Sequence, residues 1–435
     1  MDNEEKIKQL LSLVKIIRND FLMIDNKGEI YKISKTDYYL LNLIKTVKKY
    51  EKIKQILRDK FQNEEKLERF LDNFLDKYLE TLGGSDKSIA NQKEEINFFE
   101  ENKVLTSPLV VSLQLLESCN LRCRHCYTSA GNEQYRAMEL NDVKQIIEQL
   151  HDLKIFRLGL TGGETLLYKE LNKVIELASK YNIITTITTN GILLTEKKAL
   201  ELKECGLNHI HISIDGEKEI HNKIRGNKIS FDKAVKAIEI CEKIGLPVEI
   251  NYTIMKSNIN CLSKMIELAK KYDIQINVRR LIPTGRGREN IKELIGYQDC
   301  ENVLNVIQKN DYPKIKLDYC FFNTNQYRGN CKTNNKCILT INSYGNVYTC
   351  PYLQYNEFII GNVKKESLRE IYTRVEKSKL VSFDKNMLKY PCNKCEKFTQ
   401  CYGGCRANAY ILYNDLYDLD IQCKKCYKVK LNKEI

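Results

Sequence analysis

The sequence predicts an α/β fold built around a parallel sheet, and three observations predict it. In the middle of the chain, short β-rich runs alternate with segments of helical period, the pattern of repeated βα units. Before them lies a stretch that opens with apolar alternation and continues as helices. Beyond about residue 300 the pattern turns irregular and dense in cysteine. The 435 residues leave ample material for a buried core and for roughly two to four domains.

The first region spans residues 1–83. The run LVKIIRNDFLMIDNKGEIYKIS alternates apolar and polar residues, and Asp25-Asn26-Lys27-Gly28 between two β-rich runs predicts a hairpin. Helices are expected at about 35–48, with Ser34 as N-cap, then at 50–61 and 63–82. Gly83-Gly84-Ser85 ends the last of these and opens a polar linker, residues 84–104.

Six strands are expected next: 111–117, 156–160, 184–189, 209–215, 248–255 and 274–281. Segments such as NDVKQIIEQLHDL and FDKAVKAIEICEKIG fall between them with helical period. Repeated βα units of this kind build either a barrel or a doubly wound sheet, and in both the reacting groups sit at the carboxyl ends of the strands. Three cysteines, Cys119, Cys123 and Cys126, follow the end of the first strand. Gly162, Gly163 and Glu164 follow the second, Asn190 the third, and Ser213 and Asp215 close the fourth. Polar groups from four strand ends therefore converge on one mouth.

Composition bounds the function. Hydrophobic residues make up 43% and charged residues 29%, as in ordinary globular proteins. No apolar run approaches the roughly 18 residues that cross a bilayer, and the charged start MDNEEKIK is unlike a signal peptide, so a cytoplasmic protein without a membrane span is expected. In that compartment the 17 cysteines point to metal or iron–sulfur ligation rather than to disulfides. The formal charge of +13 is spread over helices in which Lys and Glu interleave, which reads as a solvated face, with an acidic partner as the alternative.

Soft thiolates ligate iron–sulfur clusters, and three of them on a four-iron cluster leave one iron open. Spacing alone also allows a tetrahedral zinc site with a distant fourth cysteine. Cys119-x3-Cys123-x2-Cys126 followed by Tyr127 resembles the signature of the radical S-adenosylmethionine (SAM) enzymes. In that family the open iron is chelated by the methionine end of SAM. TGGE, with Gly162, Gly163 and Glu164, resembles the loop that receives the methionine amino group. TTNG, with Thr189 and Asn190, and SIDG, with Ser213 and Asp215, resemble the segments lining the ribose and methionine, and Arg225 resembles an arginine facing the methionine carboxylate. The resemblance implies a partial (β/α)6 TIM-like barrel over 105–300, and a 5′-deoxyadenosyl radical that takes hydrogen from an unactivated carbon. It names no catalytic acid or base; His125, inside the motif, reads as a supporting or solvent-facing residue.

Downstream, the spacings resemble the SPASM extension, which carries two auxiliary clusters, here over residues 331–435 behind a bridging region at 301–330. Carried over by position, Cys331, Cys337, Cys350 and Cys405 would hold one, and Cys392, Cys395, Cys401 and Cys423 the other, with Cys426 as an alternative ligand there. The cofactors implied are three [4Fe–4S] clusters and SAM. Cys205, Cys241 and Cys261 fall in expected helices and read as core residues. Cys300 and Cys320 lie toward the bridge.

The first region resembles the winged-helix-like element by which peptide-modifying enzymes capture a leader peptide as an added β-strand. With PTGRGREN (Pro283–Asn290) after the sixth strand, the whole is similar to sactipeptide thioether maturases. That resemblance implies a leader-bearing precursor peptide as substrate, a flavodoxin- or ferredoxin-like reductant, no nucleic-acid partner, and a bond between a cysteine sulfur and a carbon of another residue. Carbon–carbon crosslinking and sulfatase-type maturation stay open beside it.

Overall fold

The computed structural model describes residues 2–18, 22–25, 30–58, 64–83, 105–131, 136–317, 336–382, 384–396, 398, 403–420 and 423. They form two units, Met1–Thr106 and Ser107–Ile435. The linker expected at 84–104 lies outside the described residues, as do Cys320, Cys331, Cys401 and Cys426.

The first unit opens with helix α1 (Asn3–Leu13), whose N-cap Asp2 accepts the Glu5 N–H at 2.8 Å. Strands β1 (Val14–Arg18), β2 (Leu22–Asp25) and β3 (Ile30–Lys32) then form an antiparallel sheet in chain order. The strands fall where the alternation is read, while the turn residues Asn26–Gly28 lie outside the described ones. Helices α2 (Lys35–Val47), α3 (Tyr50–Leu57) and α4 (Glu64–Gly83) follow, and Ser34 caps α2 by accepting the Asp37 N–H at 3.0 Å. Leu67, Leu71, Phe74, Leu75, Tyr78 and Leu82 form the apolar stripe of α4 and pack with Ile7, Leu10, Leu40 and Ile44 into this unit's own core.

The second unit is built on β4 (Val110–Gln114), α5 (Leu140–Asp152), β5 (Arg157–Thr161), α6 (Leu171–Lys180), β6 (Ile184–Thr189) and α7 (Glu196–Glu204). It continues through β7 (His209–Ser213), α8 (Lys218–Arg225), α9 (Ser230–Ile244), β8 (Val248–Ile254), α10 (Leu262–Lys271) and β9 (Gln275–Arg280). The six strands β4–β9 are parallel neighbours in sequence order, the partial barrel of six βα units. Alternate residues such as Leu158, Leu160, Ile210, Ile212, Ile250 and Ile276 are fully buried, and the opposite face of the strands carries Ser112, Thr161, Ser213, Asn251, Thr253 and Arg279.

Two features differ from the sequence reading. The core expected to end at residue 300 runs on, because α11 (Tyr297–Asn310) crosses that point and β10 (Ile315–Leu317) adds a parallel strand beside β9. The region expected to be irregular also supplies β11 (Ile338–Ile341), parallel to β4, and then β12 (Asn346–Tyr348) and β13 (Gly361–Asn362), antiparallel, giving a ten-stranded sheet. Short helices α12 (Leu368–Thr373) and α13 (Arg406–Tyr413) complete the cysteine-dense part. Among the described residues no helix is long and apolar enough to cross a membrane.

Candidate active site

The carboxyl ends of the barrel strands surround a cavity of about 300 Å³. Cys119, Cys123 and Cys126 from the loop after β4 line it, together with Tyr127. From the next strand ends come Gly162, Gly163, Glu164, Thr189, Asn190 and Ser213, and Arg225 arrives from the end of α8. Asp215 stands behind this lining, fully buried. The structure thus brings together every residue that the sequence places at this mouth.

The cysteine loop is locked against the loop after β5. Gly163 N–H donates to the Leu116 carbonyl and Glu164 N–H to the Ser118 carbonyl, each at 2.8 Å. A Cβ on Gly163 would lie 2.1 Å from the Ser118 oxygen, so only glycine permits this approach. The Glu164 carboxylate is buried and accepts from Thr189 Oγ1 at 2.6 Å, from Asn190 N–H at 2.9 Å and from Leu166 N–H at 3.0 Å. Burial raises its pKa against the pull of those donors. Asn190 Nδ2 reaches across to Asn120 Oδ1 at 2.8 Å, tying β6 to the cysteine loop.

Asp215 organises the opposite wall. Arg225 Nη2 lies 2.6 Å from its Oδ2, Thr253 N–H donates to Oδ1 at 2.9 Å, and His125 Nε2 stands at 3.5 Å. Burial works against the Asp215 charge, but Arg225, His125 and His221 outweigh it and hold its carboxyl below the usual range. Arg225 Nη1 donates to Cys123 Sγ at 3.7 Å. His125 is enclosed rather than solvent-facing, and burial pushes it down to about 4, so the ring is neutral at ordinary pH.

The donor set suits a cluster. Three thiols face one cavity, and N–H groups already point at sulfur: Leu121 N–H to Cys119 Sγ at 3.4 Å, besides Arg225 to Cys123. Burial pushes the Cys119 thiol up to about 12 and raises that of Cys123, so both are held as thiols until a metal displaces the proton.

Sequence reasoning passed over several lining residues, Asn251, Thr253, Arg279, Arg280 and Tyr352, and had Arg286 only as part of the motif Pro283–Asn290. The alternation along β8 and β9 carried a signal for Asn251, Thr253 and Arg279, whose side chains share the inward face. Tyr352 had none. It meets Tyr127 edge-on with ring centroids 5.6 Å apart. A second cavity of about 450 Å³ borders the same two tyrosines and is lined by Gln114, Glu117, Arg288, Asn342 and Gln354.

Of the later cysteines, Cys350 and Cys405 share one apolar cluster with Ile282, Tyr348 and Leu353. Cys392 and Cys423 share another with Leu388 and Leu419. Cys337 sits just before β11, its carbonyl accepting the N–H groups of Leu109 and Val110 at 2.9 and 3.0 Å. Cys395 follows one turn after Cys392, with its N–H on the Cys392 carbonyl at 3.2 Å. Cys241, Cys261 and Cys300 are buried and Cys205 is half-buried at the end of α7.

Residues 113–269 match the radical SAM superfamily, and residues 331–397 match SPASM, an iron–sulfur cluster-binding domain. The chain carries a radical SAM domain and a SPASM domain and is a SAM-dependent enzyme; the first domain binds a [4Fe–4S] cluster and SAM, and the second binds further iron–sulfur clusters. Among similar proteins, mycofactocin maturase MftC of Mycolicibacterium smegmatis is 26% identical over 331 residues, 73% of this chain and 83% of its own. The AdoMet-dependent heme synthase of Methanosarcina barkeri is 28% identical over 344 residues, 73% of this chain and 96% of its own. The solved structure of Streptococcus suis SuiB bound to precursor peptide SuiA superposes with a TM-score of 0.70 over 95% of this chain and 98% of that one, at 18% identity, a likeness of fold.

Proposed function

We propose that this enzyme matures a ribosomally made precursor peptide, joining a cysteine sulfur to a carbon of another residue, and that it uses three [4Fe–4S] clusters to do so. The observation that carries the reading is the first unit. A match over 95% of the chain takes in most of that unit, which ends at Thr106, and SuiB is the protein solved with a precursor peptide. MftC, named as a maturase, supports the same substrate class. The three-stranded sheet β1–β3 has β1 and β3 each paired on one side only among the described residues, the edge a leader peptide would extend.

In this reading Cys119, Cys123 and Cys126 hold the first cluster. Cys331, Cys337, Cys350 and Cys405 hold the second, and Cys392, Cys395, Cys401 and Cys423 the third. When bound, the first cluster and SAM supply the one-electron chemistry that takes a hydrogen atom from the substrate. The chain's own residues do the rest. Gly163 and Asn190 fix the cysteine loop, Arg225 faces the methionine carboxylate while Asp215 holds its guanidinium, and Ser213 borders the ribose side. Tyr127 and Tyr352 shape the passage to the second cavity, which takes the modified segment of the peptide. A flavodoxin- or ferredoxin-like protein supplies the electron.

The test is anaerobic reconstitution followed by iron and sulfide analysis, SAM cleavage under a strong reductant, and mass spectrometry of a cysteine-containing precursor peptide. About twelve irons per chain are expected, falling to about eight in a Cys119/Cys123/Cys126→Ala variant that no longer cleaves SAM. Each thioether removes two hydrogens from the peptide and one free thiol. Loss of two hydrogens with every thiol still alkylatable would replace the sulfur–carbon bond with a carbon–carbon one.

A further inference from the structure

The segment Pro283–Asn290 has no part in the function just described, yet it grips the cysteine loop. Gly285 sits at φ +56°, and a Cβ there would lie 2.5 Å from the Cys126 carbonyl oxygen. That approach brings the Arg286 N–H onto the Cys126 carbonyl at 3.0 Å, while Arg286 Nε donates to the Cys123 carbonyl at 2.9 Å. Asn290 Nδ2 donates to the Arg124 carbonyl at 3.0 Å, and its Oδ1 accepts from Arg124 Nη2 at 3.1 Å. One short segment therefore holds the backbone of two of the three thiol-bearing residues and of Arg124 between them.

The guanidinium of Arg286 is only partly used by these bonds. Its Nη1 and Nη2 are buried and have no hydrogen-bond partner among the described residues, and the side chain lines the same cavity as the three thiols. A buried cation with two unsatisfied donors is unfavourable unless an anionic acceptor stands in front of it. The neighbouring carboxylates are engaged elsewhere: Asp215 with Arg225 at 2.6 Å, and Glu164 with Thr189 Oγ1 at 2.6 Å and with the N–H groups of Leu166 and Asn190. Two acceptors remain for this cavity: the methionine carboxylate, which the proposed function gives to Arg225, and sulfur on the cluster that the three thiols would hold.

We propose that Arg286 donates from its terminal nitrogens to the sulfur atoms of the first cluster and raises that cluster's reduction potential. The inference rests on the ligand assignment of Cys119, Cys123 and Cys126. Reduction adds negative charge to the cluster, so N–H donors and a nearby cation favour the reduced state. Arg286 is a positioning residue that sets how readily the cluster takes its electron. The clasp geometry keeps it there: the two bonds to cysteine carbonyls fix the guanidinium beside the sulfurs instead of leaving it to solvent.

The experiment is an anaerobic redox titration followed by electron paramagnetic resonance, made without SAM on the reconstituted full chain. The signal to follow is the one that added SAM perturbs. Arg286→Gln is expected to shift its midpoint to lower potential at wild-type iron content, Arg286→Lys to recover part of the shift, and Asn290→Ala, which loosens the clasp but keeps the charge, to leave the midpoint in place. An unchanged midpoint in fully loaded Arg286→Gln would overturn the proposal. So would weakened SAM binding at unchanged midpoint, which assigns the guanidinium to SAM's carboxylate, or loss of iron in both Arg286 variants, which makes its role structural. Failure of the wild-type protein to show any SAM-responsive cluster would overturn the ligand assignment itself, and this inference with it.

Discussion

Asp215 and His221 couple the site's electrostatics to folding. The Asp215 side chain holds Arg225, while its own backbone N–H donates to His221 Nδ1 at 3.0 Å. That bond requires an unprotonated Nδ1, so the ring carries its single proton on Nε2. Burial, and then the Arg225 charge, push His221 down to about 3, against the opposing pull of Asp215. In the unfolded chain the ring titrates near its ordinary 6.5. Below that pH the unfolded state binds a proton that the folded state refuses, so stability is full above about 6.5 and is lost as pH falls toward about 3. Urea unfolding between pH 7 and pH 5 should therefore show a smaller loss in His221→Gln than in the wild type, by about 2 kcal/mol. Equal losses in the two proteins would mean that His221 takes up its proton in the folded state.

At the scale of elements, the site is two loops pressed together, after β4 and after β5. Gly163→Ala tests that contact, because the added Cβ meets Ser118 backbone atoms at 2.1 and 2.5 Å, which have no rotamer to yield. The cysteine loop must move instead. Iron content is expected to fall by about four per chain with loss of SAM cleavage, the later cysteines keeping theirs; retention of full iron and activity would show that the loop tolerates the shift. Most of this arrangement was legible from sequence. The six strands of the barrel end within a few residues of their expected limits, because apolar alternation and the βα repeat both point to them. Ser34 caps α2 as its residue type predicts. What escaped has physical reasons. Helix α1 carries only Ile7 and Leu10 as buried positions in a charged stretch, too few to show a period. Strands β10 to β13 are two to four residues long, and β11 lies beside β4 through a contact more than two hundred residues apart in sequence. Arg286 and Asn290 were legible as a motif but not as a clasp, since their partners are carbonyls and no side-chain pattern marks a carbonyl.

The whole molecule is unevenly stabilised. The first unit has its own apolar core of residues from all four helices, and the barrel buries Ile187, Ile210, Ile250 and Ile276 completely between strands and helices. The described residues of 384–423 bury less, with Leu388, Ala407, Ala409, Ile411 and Leu419 as their buried aliphatic residues. The cluster around Cys392 contains only Leu388 and Leu419 as further buried apolar residues, with Phe398, Tyr417 and Cys423 packed against them. Beside these few apolar contacts, polar groups stitch this part. Arg406 donates to the carbonyls of Leu416 and Asp418 at 2.7 and 2.8 Å, and the Asp420 carboxylate accepts the Cys405 N–H at 2.8 Å. A segment with so little apolar burial cannot offset its own chain entropy without covalent or metal ties. Strand β11, in contrast, is paired through four residues to β4 and shares the barrel's stability. Removing iron should therefore loosen 384–423 while leaving 107–317 folded. Limited proteolysis with mass mapping reads this directly: cuts that appear only in the iron-free protein are expected within 384–423, and reconstitution should suppress them. A digestion pattern indifferent to iron would mean that the polar stitching alone holds this segment, and that the metal is bound by a structure already formed.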